Sequence, residues 1–162
     1  MPYKVDYAGR QVDIEMLQSI EQPTLQKQVT ISSVQQPTKI VTGIQKLVQR
    51  YANALMTILG TVHVDTTYGT ELVSTIMSGL VQDQGKLQNV FGSANVLAIQ
   101  ELQKDDKNTT LYGTSPLDEQ IRTAELLDFN IDYNTSTVYL QILITSQAGT
   151  DLEFIVPVTA PR

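Results

Sequence analysis

The sequence predicts an α+β domain, with N-terminal amphipathic helices packed on a C-terminal antiparallel sheet that ends in a β-hairpin. Three observations carry this. Ile40, Val41, Ile44, Leu47, Val48, Tyr51, Leu55, Ile58 and Leu59 recur at steps of three and four, the period of one helix face. Residues 137–146 and 152–158 alternate apolar and polar side chains, the period of a half-buried strand. Ala148-Gly149-Thr150 lies between them and has turn chemistry.

The elements follow in chain order. Residues 1–36 read as an extended N-terminal arm rich in glutamine, with Pro23 inside it, and residues 37–162 as a single α+β domain. Apolar residues in the arm are irregularly spaced, except that Val29, Ile31 and Ser33 alternate with Thr30 and Ser32 as in a short strand. The arm is expected either to gain order on partners or to be a tail with one edge strand. Thr38, just after Pro37, is placed to cap the first helix, and Gly60 to stop it. Gly43 falls in its first turn, at a helical cost of about 1 kcal/mol relative to Ala, and suits a close backbone approach.

Val62-His63-Val64-Asp65 is short and alternating. Thr70 then caps a second helix with Leu72, Val73, Ile76, Met77 and Leu80 on one face, broken by Gly85. Residues 87–104 predict a third helix interrupted near Gly92-Ser93, and residues 104–117 a loop. Residues 118–127 fit helix or strand. Phe129, Ile131 and Tyr133 alternate as a strand, which gives three successive antiparallel strands with the last. Pro157 has no N–H to give a ladder, so that last strand is expected at an edge.

Composition narrows the functional classes. The chain has 162 residues, enough for one domain, and a net charge of −6. Its cations are scattered, with no run of three, whereas counterion release on nucleic acid needs them clustered. Neither nucleic acid nor an anionic membrane is therefore an expected partner. With no cysteine there is no disulfide framework and no thiolate zinc site. The segment MPYKVDYAGRQVD has no apolar core of a leader, and no run approaches a membrane span of about 18 apolar residues. A soluble chain made in a cytoplasm is the expectation. Seventeen glutamines and only 17% charged residues suit surfaces that bury against other proteins.

No catalytic constellation emerges, and no cofactor or metal is expected. The single histidine, His63, sits between two valines, which is more often a structural setting. No GxSxG elbow accompanies it. Asp65 alone could join it as a metal ligand. The acidic pairs Asp105-Asp106 and Asp118-Glu119 read as solvated charges rather than as the two spaced carboxyls of a hydrolase. The glycines form neither GxGxxG nor a P-loop. The chain is expected not to be an enzyme.

Leu59-Gly60-Thr61 ends the first helix, and Tyr68-Gly69-Thr70-Glu71-Leu72 opens the second; a strand, turn and strand close the chain. In these features, over about residues 29–158, the sequence resembles the lysozyme-like baseplate-wedge and sheath-initiator family of contractile phage tails. It is also similar to the type VI secretion sheath-initiator subunit. That family usually carries Glu-Pro-Arg before its strands; here Glu119-Gln120-Ile121-Arg122 is the nearest equivalent and lacks the proline. The resemblance implies a non-enzymatic virion protein of the tail baseplate, assembled in the host cytoplasm, in six copies around the tube. It implies baseplate wedge proteins and the tail sheath protein as partners, with the tail tube or hub as further candidates. The function it implies is initiation of the sheath by offering strands to the first sheath ring. Leu152, Phe154, Val156 and Val158 would then mark the donated edge. The alternatives are another virion structural protein, such as a tail terminator or connector, and a small hydrolase completed by a partner chain.

Overall fold

Three antiparallel strands form the centre of the molecule: β5 (Ile121–Asp132), β6 (Thr137–Ser146) and β7 (Asp151–Thr159). The computed structural model describes residues 13–22, 25–31, 40–81, 83–108 and 115–160. β6 and β7 pair without a shift from Thr137 opposite Thr159 to Thr145 opposite Asp151. Val138, Leu140 and Ile142 therefore lie opposite Val158, Val156 and Phe154, and all six are buried on one face. The tight turn between these strands is closed by Ser146 N donating to Thr150 O at 2.9 Å, with Gly149 at a φ of +78°.

β5 explains why residues 118–127 fit two structures. Its pairing with β6 shifts register between Ile121 and Thr123 and again between Leu126 and Asp128. Each β-bulge inserts a residue and resets the alternation. The core-facing residues become Ile121, Ala124, Leu126, Phe129 and Ile131, at spacings of three, two, three and two. That series resembles a helix period as much as a strand period.

The three successive antiparallel strands belong to a sheet that has five strands among the described residues. Arm residues form β2 (Leu17–Gln22) and β3 (Leu25–Ile31), an antiparallel hairpin that lies beside β7. The order is β2-β3-β7-β6-β5, and β3 runs parallel to β7 with Gln28 opposite Ile155. The two-residue strands β1 (Asp13–Ile14) and β4 (Ile40–Val41) pair with each other at the stem of this hairpin. A boundary at residue 37 thus runs through a shared sheet. Ser32 and Ser33 of the expected arm strand, the cap at Thr38, and part of the loop through residues 104–117 lie outside the described residues.

Three helices cover the Val138–Leu140–Ile142 face. α1 (Gly43–Met56) is shorter at both ends than its apolar period, because Ile40-Val41 is drawn into β4. Leu47, Tyr51 and Leu55 are fully buried, and the Tyr51 ring meets Phe154 edge-on at 6.3 Å. α2 (Leu72–Met77) ends before Gly79, which takes a φ of +69°, so Gly85 is not its terminator. Gly85 instead lies in the first turn of α3 (Gln84–Asn108), whose start is capped by Asp83 Oδ1 accepting from Lys86 N at 2.7 Å. α3 runs unbroken through Gly92-Ser93 and past Lys104. Its buried row is Leu87, Phe91, Ala94, Ala98 and Leu102, a continuous helical stripe strong enough to carry one glycine. None of the helices among the described residues is long and apolar enough to cross a membrane.

Candidate functional site

The two short motifs meet in space. After α1 the chain turns through Gly60, at a φ of +83°, and Thr61 donates from both N and Oγ1 to Ile58 O. The Tyr68-Gly69-Thr70 segment then comes back alongside. Thr70 N donates to Thr57 O at 2.8 Å and Leu59 N to Thr70 O at 3.0 Å, a small parallel bridge between Ile58 and Thr70. This bridge, rather than Gly60, is what diverts the chain from the helix four residues before that glycine. Thr70 is fully buried, and its hydroxyl donates to Leu55 O and accepts from Leu72 N. Gly69 closes the junction at a φ of +106°, and a Cβ there would stand 2.5 Å from Thr57 O. Tyr68 packs half-buried beside the core; burial raises its phenol pKa, and Asp105 and Glu101 reinforce this.

Glu119 and Arg122 part company. Glu119 is 1% exposed and faces the N-terminus of α1. Its Oε1 accepts from Gly43 N at 3.1 Å and its Oε2 from Lys46 Nζ at 2.8 Å. A carboxylate in this place is favoured by the unpaired amides and dipole of the helix start. Gly43, at a φ of +64°, permits the approach, since a Cβ would meet Asp118 Oδ2 at 2.9 Å. Arg122 is exposed on β5. The cation that joins α1, α3 and the turn before β5 is Arg50, which donates to Asp106 Oδ1 at 3.0 Å and to Glu119 O at 3.4 Å. Lys46 and Arg50 passed unremarked in the sequence because their partners are 73 and 56 residues away.

The edge expected at Leu152, Phe154, Val156 and Val158 is not an edge, since β3 lies against β7. Main-chain directions can be read from the ladder. Ser146 N reaches Thr150 O and Ala160 N reaches Ser136 O, so even-numbered β6 residues address β7 and odd ones address β5. Pro157 sits opposite Tyr139, and its missing donor therefore faces β3. The same alternation turns the main-chain groups of Ala124, Leu126, Phe129 and Ile131 away from β6. Ala124 O is taken by the Asn95 amide at 2.8 Å. Beyond it, no described strand covers β5. Beside this edge lies an open concavity of about 580 Å³ lined by Asp128, Phe129, Asn130, Asp132, Tyr139, Gln141 and Ile155.

His63 is exposed in the loop after α1, and Asp65 turns to Thr67 and Lys104 instead. Among the described residues, no three His, Cys, Asp or Glu side chains are grouped to hold a metal ion. Comparisons with protein-family models, curated proteins and solved structures returned no match.

Proposed function

We propose that this chain is a non-enzymatic structural subunit of a contractile-tail baseplate, which surrounds the tube and starts the sheath by extending a β-sheet into the first sheath ring. The observation that carries this reading is β5, a twelve-residue strand that is outermost among the described residues and packs against α3. An outer strand of this length normally needs cover or pairing, and strand addition through main-chain hydrogen bonds would supply it. The donating edge is therefore assigned to β5, at Phe129 and Ile131, and not to β7. The exposed Leu127 on the same strand adds apolar surface for a neighbour. The resemblance of the Leu59-Gly60-Thr61 and Tyr68-Gly69 segments supplies the identity of the partners, and their bridge gives those residues a structural task.

The experiment compares Ile131→Pro with Ile131→Ala in assembled particles. Both truncate the side chain, but only proline removes the outward donor. Baseplates carrying Ile131→Pro are expected to show bare tubes by electron microscopy, and those with Ile131→Ala to carry sheaths. Sheaths of normal length on proline-bearing baseplates would overturn strand donation from β5.

A further inference from the structure

We infer that the β2–β3 hairpin is an exchangeable arm, and that the surface beside β7 receives the same hairpin from a second copy of this chain. The inference goes beyond the proposed function, since it concerns contacts between copies and not the sheath.

The hairpin is attached unevenly. At its stem it is held firmly. β1 and β4 pair at Asp13–Val41 and Ile14–Ile40, and the buried Gln49 of α1 clasps the stem with three hydrogen bonds. Gln49 Nε2 donates to Asp13 Oδ2 at 3.0 Å and to Ile14 O at 2.8 Å, and Gln49 Oε1 accepts from Met16 N at 2.8 Å. Within itself the hairpin is a regular antiparallel ladder from Leu17 opposite Ile31 to Ile20 opposite Gln28. In main-chain pairing its join to the body is one parallel register pair, Gln28 with Ile155. The next position along β7 that faces β3 is Pro157, which has no N–H to donate, so the ladder loses one of its bonds there. On its other flank β7 is locked to β6 along its whole length, and it stays in place when the hairpin leaves.

Exchange follows from these inequalities. A two-stranded hairpin alone is marginal in water, so a displaced one gains by docking on a sheet. The strand it fits is β7, and every copy carries one. The swapped and unswapped contacts are the same, which leaves the effective concentration of neighbours to decide between them. From its fixed stem, a six-residue strand reaches roughly 20 Å, the distance within which a neighbour's β7 must lie. In a ring of copies each hairpin would pass to the next, and β7 would remain covered throughout. The hairpin carries Glu21 and Lys27, which cancel, so like charge between copies does not oppose the transfer.

The absence of native cysteine makes the test direct. A Gln28→Cys chain is refolded together with an Ile155→Cys chain at high concentration and oxidised with a glutathione buffer. A disulfide between these positions can form only between chains. The expected result is a linked pair containing one of each chain, identified by mass. Its yield should exceed by about tenfold that of Gln28→Cys mixed with Tyr133→Cys, an exposed position off the sheet. The double variant Gln28→Cys/Ile155→Cys reports whether the register itself forms, and Gln26→Cys with Glu153→Cys, two residues back on both strands, repeats the test if Ile155→Cys does not fold. An intrachain bond in either double variant, with mixed pairs no better linked than the control, overturns exchange. Because purified chain is used, this outcome is separate from sheath growth on baseplates.

Discussion

The Tyr51 hydroxyl donates to Asn95 Oδ1 at 2.7 Å, and the Asn95 amide in turn donates to Ala124 O at 2.8 Å. One side chain thus ties α1, α3 and the outer strand β5 together. Burial pushes the Tyr51 phenol well above its ordinary pKa, so the hydroxyl stays a donor across the working range. Tyr51→Phe keeps the ring against Phe154 but leaves the amide oxygen unpaired. It is expected to lower stability by about 1–3 kcal/mol in urea unfolding, with an unchanged denaturant slope. A loss below a few tenths of a kcal/mol would show that water replaces the hydroxyl.

The Lys46–Glu119 pair is buried, with side chains 10% and 2% exposed. Removing one partner takes the opposite charge from the other. Lys46→Met is expected to cost about 3 kcal/mol or more, with Gly43 N still bonded to the carboxylate. The double change Lys46→Met/Glu119→Leu should cost clearly less than the sum of the two single changes. Chemical denaturation of the four proteins in a mutant cycle measures this. Additive losses would mean that the two side chains act on folding independently.

Gly69 joins two constraints in one residue, a φ of +106° and the Thr57 carbonyl 2.5 Å from where a Cβ would sit. Gly69→Ala is expected to destabilise by about 1–3 kcal/mol and Gly69→Val by more, because branching adds to both terms. Gly92→Ala is the contrast, since nothing lies within 4 Å of that position in mid-helix. It should stabilise by about 0.4–1 kcal/mol. Thermal unfolding ranks the three, and the order Gly92→Ala above wild type above Gly69→Ala is the outcome that checks the junction.

Much of the core was legible from residue order. The stripe Leu47, Tyr51, Leu55 and the alternation Val138, Leu140, Ile142, Ile144 face the interior as their periods require. Three features were hidden, each for a physical reason. Two bulges turned β5 into a mixed period. In α3 the buried row overrode Gly92, whose helical penalty is about 1 kcal/mol. Of the hairpin only the alternation at Val29–Ile31 was legible; its place beside β7 was not, because its ladder partner lies over a hundred residues on, at Ile155, and Gln-rich strands carry little periodic signal. The candidate site followed the same division. The Tyr68-Gly69-Thr70 segment could be read as opening the second helix, since glycine near a helix start has a local cause. Which strand lies outermost depends on tertiary pairing, and so the edge moved from β7 to β5.

Asp65 and Lys104 give the fold a measurable response to acid. The Thr67 hydroxyl, the Thr67 amide and the Lys104 ammonium all favour the Asp65 carboxylate, and hold its pKa at about 2 against an ordinary 3.8. The folded value is the lower one, so the contribution is fully present above the ordinary value and is lost as pH falls towards 2. The Lys104 pKa is raised, chiefly by its bond to Asp65, so its share is full below its ordinary 10.5 and is lost only above that. A carboxyl NMR titration is expected to place the Asp65 midpoint near 2, with the Thr67 amide shift following it. In Thr67→Ala the midpoint should move up towards 3.8. A wild-type midpoint already at that value would mean that the loop is not held to α3 in solution.

Gln49 gives the arm its own test, independent of any partner. It is 1% exposed, and all three of its hydrogen bonds go to the stem at Asp13, Ile14 and Met16. Gln49→Ala removes them together and leaves the α1 stripe of Leu47, Tyr51 and Leu55 untouched. If each bond is worth about 1 kcal/mol net, local opening of the stem becomes easier by about 2–3 kcal/mol. Amide exchange at residues 13–16 should then accelerate by about two orders of magnitude where opening precedes exchange. Amides in β6, locked on both sides, should keep their rates within about threefold, because the core cluster does not pass through Gln49. Gln49→Glu separates donation from volume, since it keeps the acceptor for Met16 N while turning two donors into a charge beside Asp13. It should open the stem at neutral pH, because both donations to Asp13 and Ile14 are lost. Equal protection of residues 13–16 in all three proteins would show that the β1–β4 ladder alone holds the stem.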